Sequence, residues 1–362
     1  MQLYGSSLGE SDRIWASPEY FPIHILPSEN VVVFVALSRQ LYRTSAFLDD
    51  RYLLTAESRP IPLDTLDRMS RTVAQADRRP VHCIFHVAFC GSTFVARCLD
   101  RLTGAFVLKE PLPFHEVAFY KRHGGATARG AEAWQALFEL MMALLSRTFD
   151  PHDAAIVKPT DASTALIGDV LAYSDSSAAL FLHVGLKEFL ASILNDESRR
   201  GFVRERLNDL FVLCRNNSLF HGVDWRTLTD AERAACLWLL HRHLYVEFVN
   251  ANPYARCRSL DFQDFLRAPV PALRAIACLF GIRASSEEIE AAIRSEAALH
   301  SKTRQTEFTA ADREKALSAV AEIYRQEIHA GLTWAGRRIE SHAVVGTLPR
   351  PLDIDLERSP DY

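Results

Sequence analysis

The chain has 362 residues, of which 48% are apolar and 24% are charged. This composition is typical of a globular protein with a large buried core, and it excludes a disordered or collagen-like chain. The 41 Lys and Arg residues are outnumbered by 45 Asp and Glu residues, so a net charge of −4 gives no general attraction for nucleic acid. Any anionic ligand therefore needs a local site.

The seven cysteines are dispersed, and none forms a Cys-x-x-Cys pair. This usage favours a reduced chain without a zinc site. The first residues lack a basic segment followed by an apolar one, and no later run is long and apolar enough to cross a bilayer. We therefore expect a cytoplasmic protein with no membrane or nucleic-acid partner; the sequence leaves its oligomeric state open.

The first strand-like run is 31–37, in a region that ends with a polar linker at 74–80. We expect residues 1–78 to form a small N-terminal α/β extension. Residues 309–362 contain one further helical pattern and are expected to be a C-terminal helix and tail packed on the core.

Between these segments, five apolar runs of strand length follow one another. They are 81–89, 105–108, 154–157, 178–184 and 255–260. Helical patterns separate them, including 131–147 and a helix opened by a capping box at Thr229 and Glu232. This alternation predicts an α/β core over 79–308, with a roughly five-stranded parallel sheet between two layers of helices.

The turn after the run at 81–89 reads Phe89-Cys90-Gly91-Ser92-Thr93 and leads into a helical pattern. Such a turn is where α/β proteins hold phosphates, because backbone N–H groups and the helix dipole converge there. Against the Walker pattern, Ser92 stands where the Lys would be, which disfavours magnesium-nucleotide hydrolysis. Taken alone, the pattern equally fits a tight turn with Ser92 or Thr93 as the helix cap.

With the next strand end, Leu108-Lys109-Glu110-Pro111, the chain resembles the P-loop sulfotransferases. Their phosphosulfate loop reads basic-Ser-Gly-Thr-Thr, and their second strand ends near a catalytic His or Glu. In the tyrosylprotein branch of this family, the general-base Glu follows the basic residue of the loop at a certain distance. Glu110 follows Phe89 at the same distance. The segments 181–192 and 259–266 are similar to the family's later strand ends, and 301–304 lies where the family has a basic loop over the nucleotide.

The resemblance covers about residues 80–310 and implies a three-layer P-loop nucleotide-binding fold. It also implies sulfuryl transfer from 3′-phosphoadenosine 5′-phosphosulfate, as co-substrate, to a hydroxyl or amine of a small-molecule or peptide acceptor, without a metal. The implied roles are Glu110 as general base, Lys158 to neutralise developing charge, and 89–93 as the phosphosulfate cradle. Ser192, Lys302 and Arg304 would help hold the nucleotide.

Two positions depart from the family. Phe89 replaces the basic residue of the loop, and Val184 replaces the strand-end Arg that holds the 3′-phosphate. Lys109, Lys158 and Lys302 are the candidates to supply the missing charge. These departures keep a second interpretation open, a catalytically degenerate nucleotide-binding protein, and a less favoured third, an ATP-dependent kinase-like enzyme.

Individual residues also have simpler interpretations. Glu110 can be a salt-bridge partner, Lys158 a solvated charge at the sheet edge, and Cys90 a small loop residue rather than a nucleophile. Because Glu110 precedes Pro111, we expect its backbone to be extended.

Overall fold

The structure is a computed structural model, and it describes residues 10–53, 57–71, 78–124, 128–214, 217–252, 256–297, 310–340 and 346–354. None of the helices in these ranges has the length and apolar character needed to span a bilayer. The linker expected at 74–80 falls mostly outside the described residues.

The N-terminal region forms its own antiparallel sheet with strand order β1-β2-β3. The apolar run expected to be a strand forms the middle strand of this sheet, and its residues Val32, Phe34 and Val35 are buried. In chain order the elements are α1 (Glu10–Ala16), β1 (Tyr20–Leu26), β2 (Val31–Ala36), α2 (Arg39–Thr44), α3 (Asp50–Leu53), β3 (Ser58–Pro62) and α4 (Leu63–Arg71).

The five later apolar runs form one parallel sheet, as the sequence predicted. Its strands are β4 (Val81–His86), β5 (Ala105–Lys109), β6 (Ala154–Lys158), β7 (Ala179–His183) and β8 (Cys257–Asp261). Their spatial order is β5-β6-β4-β7-β8, and every neighbouring pair is parallel. All six residues of β4 are buried, as expected for a central strand covered on both faces.

Helices flank this sheet, and the chain is therefore an α/β protein. They are α5 (Ser92–Leu99), α6 (Leu112–Gly124), α7 (Ala128–Leu145), α8 (Ile167–Tyr173), α9 (Leu186–Leu194), α10 (Glu197–Leu210), α11 (Asp230–Ala251), α12 (Phe262–Arg267), α13 (Pro269–Leu279) and α14 (Ser286–Ala297). The predicted capping box opens α11: Glu232 N donates to Thr229 Oγ1 at 3.3 Å, and Thr229 N donates to Glu232 Oε2 at 2.9 Å.

Two C-terminal helices, α15 (Ala310–Ile323) and α16 (Arg325–Ile339), follow. Helix α16 packs against α9 and α11, where a Cβ on Gly331 would lie 3.0 Å from Ala231 O. The described part of the tail then runs beside β8, where Ser259 N donates to Arg350 O and Leu352 N donates to Ser259 O.

A buried ion pair joins the central sheet to the helix after β4. The Lys109 ammonium, at the end of β5, lies 3.0 Å from Asp100 Oδ2 and also donates to Tyr42 O at 2.6 Å. Burial lowers the pKa of Lys109, and Asp100 partly offsets that effect. Since an ammonium in this position needs a counter-charge, Asp100 stabilises the contact of α2, α5 and β5.

We expect Asp100→Ala to lower the free energy of unfolding by about 3 kcal/mol, because it leaves the ammonium of Lys109 buried without its carboxylate. Urea unfolding measures this loss. Asp264→Ala, which removes an exposed partner of Arg267, is the control and should change the same free energy by less than about 1 kcal/mol. Equal small losses in both variants would contradict the prediction.

Candidate functional site

The five parallel strands end at one edge of the sheet, which is where α/β proteins bind ligands. The loop 87–91 follows β4, Glu110 follows β5, Pro159 follows β6, Val184 follows β7, and Phe262 follows β8. In the strand order, β6 lies between β5 and β4. Lys158, its last residue, is therefore positioned between the loop and Glu110.

The loop after β4 is held in an unusual backbone conformation. Phe89 has φ of 59° and Gly91 has φ of 91°, so both lie in the left-handed region. Helix α5 begins directly afterwards, and Phe94 N donates to Gly91 O at 3.0 Å. The first N–H groups of a helix have no partner within it, and they carry the positive end of its dipole. The loop thus offers a local attraction for an anion.

Ser92 and Thr93 do not act as helix caps. The N-cap residue is Gly91, and no side chain caps the helix. Ser92 and Thr93 are the first two residues of α5, both nearly buried, and within the described part of the chain neither hydroxyl has a hydrogen-bond partner. The simple capping interpretation is therefore wrong here, and both hydroxyls can donate to a ligand.

Cys90 is a core residue of the same loop. It is fully buried, and its Sγ lies 3.5 Å from Leu182 O on β7. This contact fixes the loop to the neighbouring strand, which fits the interpretation of Cys90 as a small packing residue.

Gly91 is required by an aromatic contact. A Cβ at this position would overlap the ring of Phe262, which is 3% exposed and opens α12. The ring of Phe262 also packs in parallel with that of Phe265, with centroids 5.8 Å apart. Two features thus require glycine at position 91: its positive φ and the close approach of the Phe262 ring to its backbone.

Glu110 and Lys158 form an ion pair across the ends of β5 and β6. Glu110 Oε1 accepts a hydrogen bond from the ammonium of Lys158, and Glu110 N donates to Lys158 O at 2.6 Å. Lys158 is 1% exposed, whereas the Glu110 side chain is 17% exposed. Lys158 is therefore not a solvated edge charge, and the carboxylate is the member of the pair that solvent reaches.

The backbone of Glu110 differs from expectation. Its φ is 49°, in the left-handed region, although a residue before proline was expected to be extended. Two hydrogen bonds from one residue of the N-terminal region span this turn: Leu48 N donates to Lys109 O at 2.8 Å, and Leu112 N donates to Leu48 O at 3.0 Å. These bonds, with the ion pair, offset a strain of about 1–3 kcal/mol.

Aromatic residues of the N-terminal region lie against the same pair. The Lys158 ammonium lies 5.7 Å from the centroid of the Phe47 ring, within the range of a cation–π interaction. The ring of Phe47 meets that of Tyr52 edge to face at 5.9 Å, and Tyr52 is 48% exposed. The N-terminal region thus forms one wall beside Glu110.

Two histidines adjoin the edge in the neutral form. His86 Nε2 lies 2.9 Å from Pro159 O, and burial, with a smaller effect of Lys158, lowers the pKa of His86 to about 3. His115, on the first turn of α6, lies 3.2 Å from Thr160 Oγ1, and burial lowers its pKa as well. Both rings can therefore exchange hydrogen bonds without adding charge.

At the end of β7, where Val184 replaces an arginine of the resembled family, a different cation is present. Arg242 of α11 lies 3.4 Å from His183 Nδ1 and donates to Gly346 O at 2.8 Å. Burial lowers the pKa of Arg242 to about 10, and burial together with Arg242 lowers the pKa of His183 to about 3. At neutral pH the charge at this strand end therefore belongs to Arg242, not to His183.

Of the three residues predicted to help hold the nucleotide outside the loop, the structure describes only Ser192. Ser192 lies on α9, 5% exposed, and its hydroxyl donates to Phe189 O within the helix at 3.0 Å. Lys302 and Arg304 lie outside the described residues. Lys109, a candidate for the missing loop charge, instead binds Asp100 as described above. Of the predicted set, the structure brings together residues 89–93, Glu110 and Lys158.

Sequence reasoning missed Phe47, Leu48, Arg199 and Arg242. Arg199 lies on α10 with its guanidinium carbon 5.0 Å from the centroid of the Phe89 ring. None of these residues belongs to a motif, and Leu48 acts only through its backbone. For Arg199, the one available signal was the basic cluster at 199–200 shortly after Ser192.

No group of three or more His, Cys, Asp and Glu side chains in the described ranges is arranged to hold a metal ion.

We expect Gly91→Ala to lower the free energy of unfolding by about 3 kcal/mol, because the methyl group meets Phe262 and the positive φ disfavours an L side chain. Gly104→Ala is a matched control: Gly104 has φ of 81° but no atom within 4 Å of the added Cβ. That variant should lose about 1 kcal/mol. Equal losses in urea unfolding would show that the contact with Phe262 contributes nothing.

No family model matches this chain, and no curated protein matches it either. Solved structures do match it. Sulfotransferase STF1 from Mycobacterium tuberculosis H37Rv is 13% identical, with 71% of this chain and 80% of that chain covered and a TM-score of 0.38. The sulfotransferase domain from the curacin biosynthetic pathway is 10% identical, with 76% and 93% covered and a TM-score of 0.40.

A sulfotransferase from Alicyclobacillus acidocaldarius is 12% identical, with 72% of this chain and 96% of that chain covered and a TM-score of 0.34. These three structures are sulfotransferases, the family that the sequence motifs resemble.

Proposed function

We propose that the protein transfers a sulfuryl group from 3′-phosphoadenosine 5′-phosphosulfate to a hydroxyl or amine acceptor. The observation that carries the proposal is the placement of the Glu110–Lys158 pair beside the loop 89–93, on adjacent strand ends of one sheet edge. The loop supplies N–H groups and two hydroxyls for the phosphosulfate. The pair supplies a carboxylate that solvent reaches and a buried positive charge.

In this reaction the acceptor atom forms a bond to sulfur, and the bond from sulfur to the bridging phosphate oxygen breaks. The electron pair stays on the 5′-phosphate, which leaves as 3′,5′-adenosine bisphosphate. The acceptor proton passes to Glu110. Because Lys158 binds Oε1, the proton goes to Oε2, the other carboxylate oxygen.

Lys158 has a double role in the proposal. It orients Glu110, and its buried ammonium would neutralise the negative charge that develops during the transfer. Fixed positive charge and positioning suffice for this transfer, so the proposal requires no metal ion. The acceptor, a small molecule or a peptide, would approach from the side of Phe47 and Tyr52, next to the exposed face of Glu110.

A second candidate function is nucleotide binding without transfer. It is favoured by Phe89, because an uncharged side chain stands in the loop where the transferring group needs positive charge. It predicts the same ligand but no turnover. An ATP-dependent reaction is less favoured, since Ser92 stands in the place of the Walker lysine.

We expect 3′,5′-adenosine bisphosphate to stabilise the protein against thermal unfolding. A ligand at a hundred times its Kd adds about 2.7 kcal/mol, which raises the midpoint by several degrees. ATP with magnesium, run in parallel, should give a much smaller shift. Stabilisation by ATP alone would favour the kinase-like function, and no shift with either nucleotide would contradict both proposed functions.

Glu110→Gln should reduce turnover by about 10²–10⁴-fold while 3′,5′-adenosine bisphosphate still binds, because the amide keeps an oxygen for Lys158 but cannot take the proton. Turnover is measured with sulfur-labelled donor and a panel of a phenol, a primary alcohol, a primary amine and a tyrosine peptide.

Glu139→Gln serves as the control, since Glu139 pairs with Arg78 on another part of the surface. It should leave turnover unchanged. Wild-type turnover that persists in Glu110→Gln would remove Glu110 from the mechanism, and a wild-type protein that binds the bisphosphate without turning over any acceptor would favour the second candidate.

A further inference from the structure

The proposed function leaves one electrostatic requirement unmet by the loop itself. None of the side chains in 89–93 is charged, yet the reaction places a phosphosulfate there and increases the charge on its 5′-phosphate as the sulfur bond breaks. Lys158 is bound to Glu110, on the acceptor side. A cation is therefore needed on the leaving-group side of the loop.

Arg199 of α10 lies against the loop, at its first residue. Its guanidinium carbon is 5.0 Å from the centroid of the Phe89 ring, and that ring meets Phe202 edge to face at 5.2 Å. Both Arg199 and Phe202 belong to α10, one turn apart. The helix thus holds Phe89 between a guanidinium and an aromatic edge, which fixes the position of the charge relative to the loop.

Helix α10 is itself anchored to the sheet edge. Arg206, two turns beyond Arg199, lies 3.1 Å from the buried carboxylate of Asp161, which follows β6. Burial raises the pKa of Asp161, but Arg206 and His241 outweigh that effect and hold the pKa well below its usual range. The carboxylate therefore stays charged and binds α10 to the edge.

The contacts of Arg199 leave part of its guanidinium available. Nη1 donates to Ser192 O at 2.7 Å, and Nε lies 3.8 Å from Asp196 Oδ2. Among the described residues, Nη2 has no hydrogen-bond partner, and the side chain is 35% exposed. A guanidinium that lies over an aromatic ring and is hydrogen-bonded on one side is preorganised to present its other N–H groups to an oxyanion.

We infer that Arg199, which lies over the ring of Phe89, is the cation that binds the 5′-phosphate end of the donor. The inference rests on the proposed function and adds a binding residue from outside the loop. In this arrangement Phe89 does not mark a lost site. It serves as the platform that positions the charge supplied by α10.

Isothermal titration with 3′,5′-adenosine bisphosphate tests the inference. Arg199→Gln should raise the Kd by about tenfold to a hundredfold, the effect of one charge-assisted hydrogen bond to an anion. Arg199→Lys keeps the charge without the planar array of N–H donors and should recover part of the affinity.

Arg204→Gln is the matched control, because Arg204 lies on the same helix, is 42% exposed and pairs with Asp230. It should change the Kd by less than about twofold, since an exposed ion pair contributes little to the stability of the helix that carries it. Equal losses in Arg199→Gln and Arg204→Gln would overturn the inference by assigning the effect to the stability of α10.

A second probe, 5′-adenosine monophosphate, identifies the phosphate concerned. Arg199→Gln should weaken binding of both nucleotides by the same factor, and a loss confined to the bisphosphate would overturn the placement at the 5′ end. If wild type binds the bisphosphate and Arg199→Gln binds it equally well, the inference fails and the proposed function stands. If wild type does not bind the bisphosphate at all, the proposed function itself fails.

Discussion

A lysine ammonium buried at the end of a central strand needs a counter-charge, and this requirement organises the candidate site. Lys158 is 1% exposed, and Glu110 on the adjacent strand meets it. The parallel register of β5 and β6, which aligns Lys109 with Lys158, places Glu110 one residue beyond that pair. The carboxylate is thereby held at the sheet edge with Oε1 bound to Lys158, while the Glu110 side chain remains 17% exposed.

Holding Glu110 there requires a strained backbone, and the strain connects the N-terminal region to the site. Glu110 has a φ of 49°, which costs about 1–3 kcal/mol for a residue other than glycine. Leu48 bridges the turn with two backbone hydrogen bonds, and Phe47 places its ring beside Lys158. The N-terminal region is therefore part of the site and not only an addition to the core, a role that its sequence alone did not indicate.

The sequence predicted all five strands of the parallel sheet, because buried parallel strands have continuous apolar sequences. In the N-terminal region it predicted only β2 of the three antiparallel strands. It also predicted that residues 89–93, Glu110 and Lys158 lie at one edge of the sheet, since the carboxyl ends of parallel strands share one edge. It could not predict the backbone of Glu110, where tertiary hydrogen bonds outweigh the local preference of a residue before proline. Nor could it place Arg199 on Phe89, because that contact joins residues far apart in the chain and belongs to no motif.

The contact between Gly91 and Phe262 gives the glycine of the loop a structural explanation that requires no ligand. A glycine in a phosphate-loop pattern is usually explained by the close approach of a ligand, yet here the ring of Phe262 already excludes a Cβ. The glycine is thus required by the fold whether or not a phosphate binds. Among the described residues, the donors near this loop that have no hydrogen-bond partner are the hydroxyls of Ser92 and Thr93 and the Nη2 group of Arg199, whose guanidinium lies over the ring of Phe89. A phosphate bound between them would meet donors that the folded chain holds in place and leaves available.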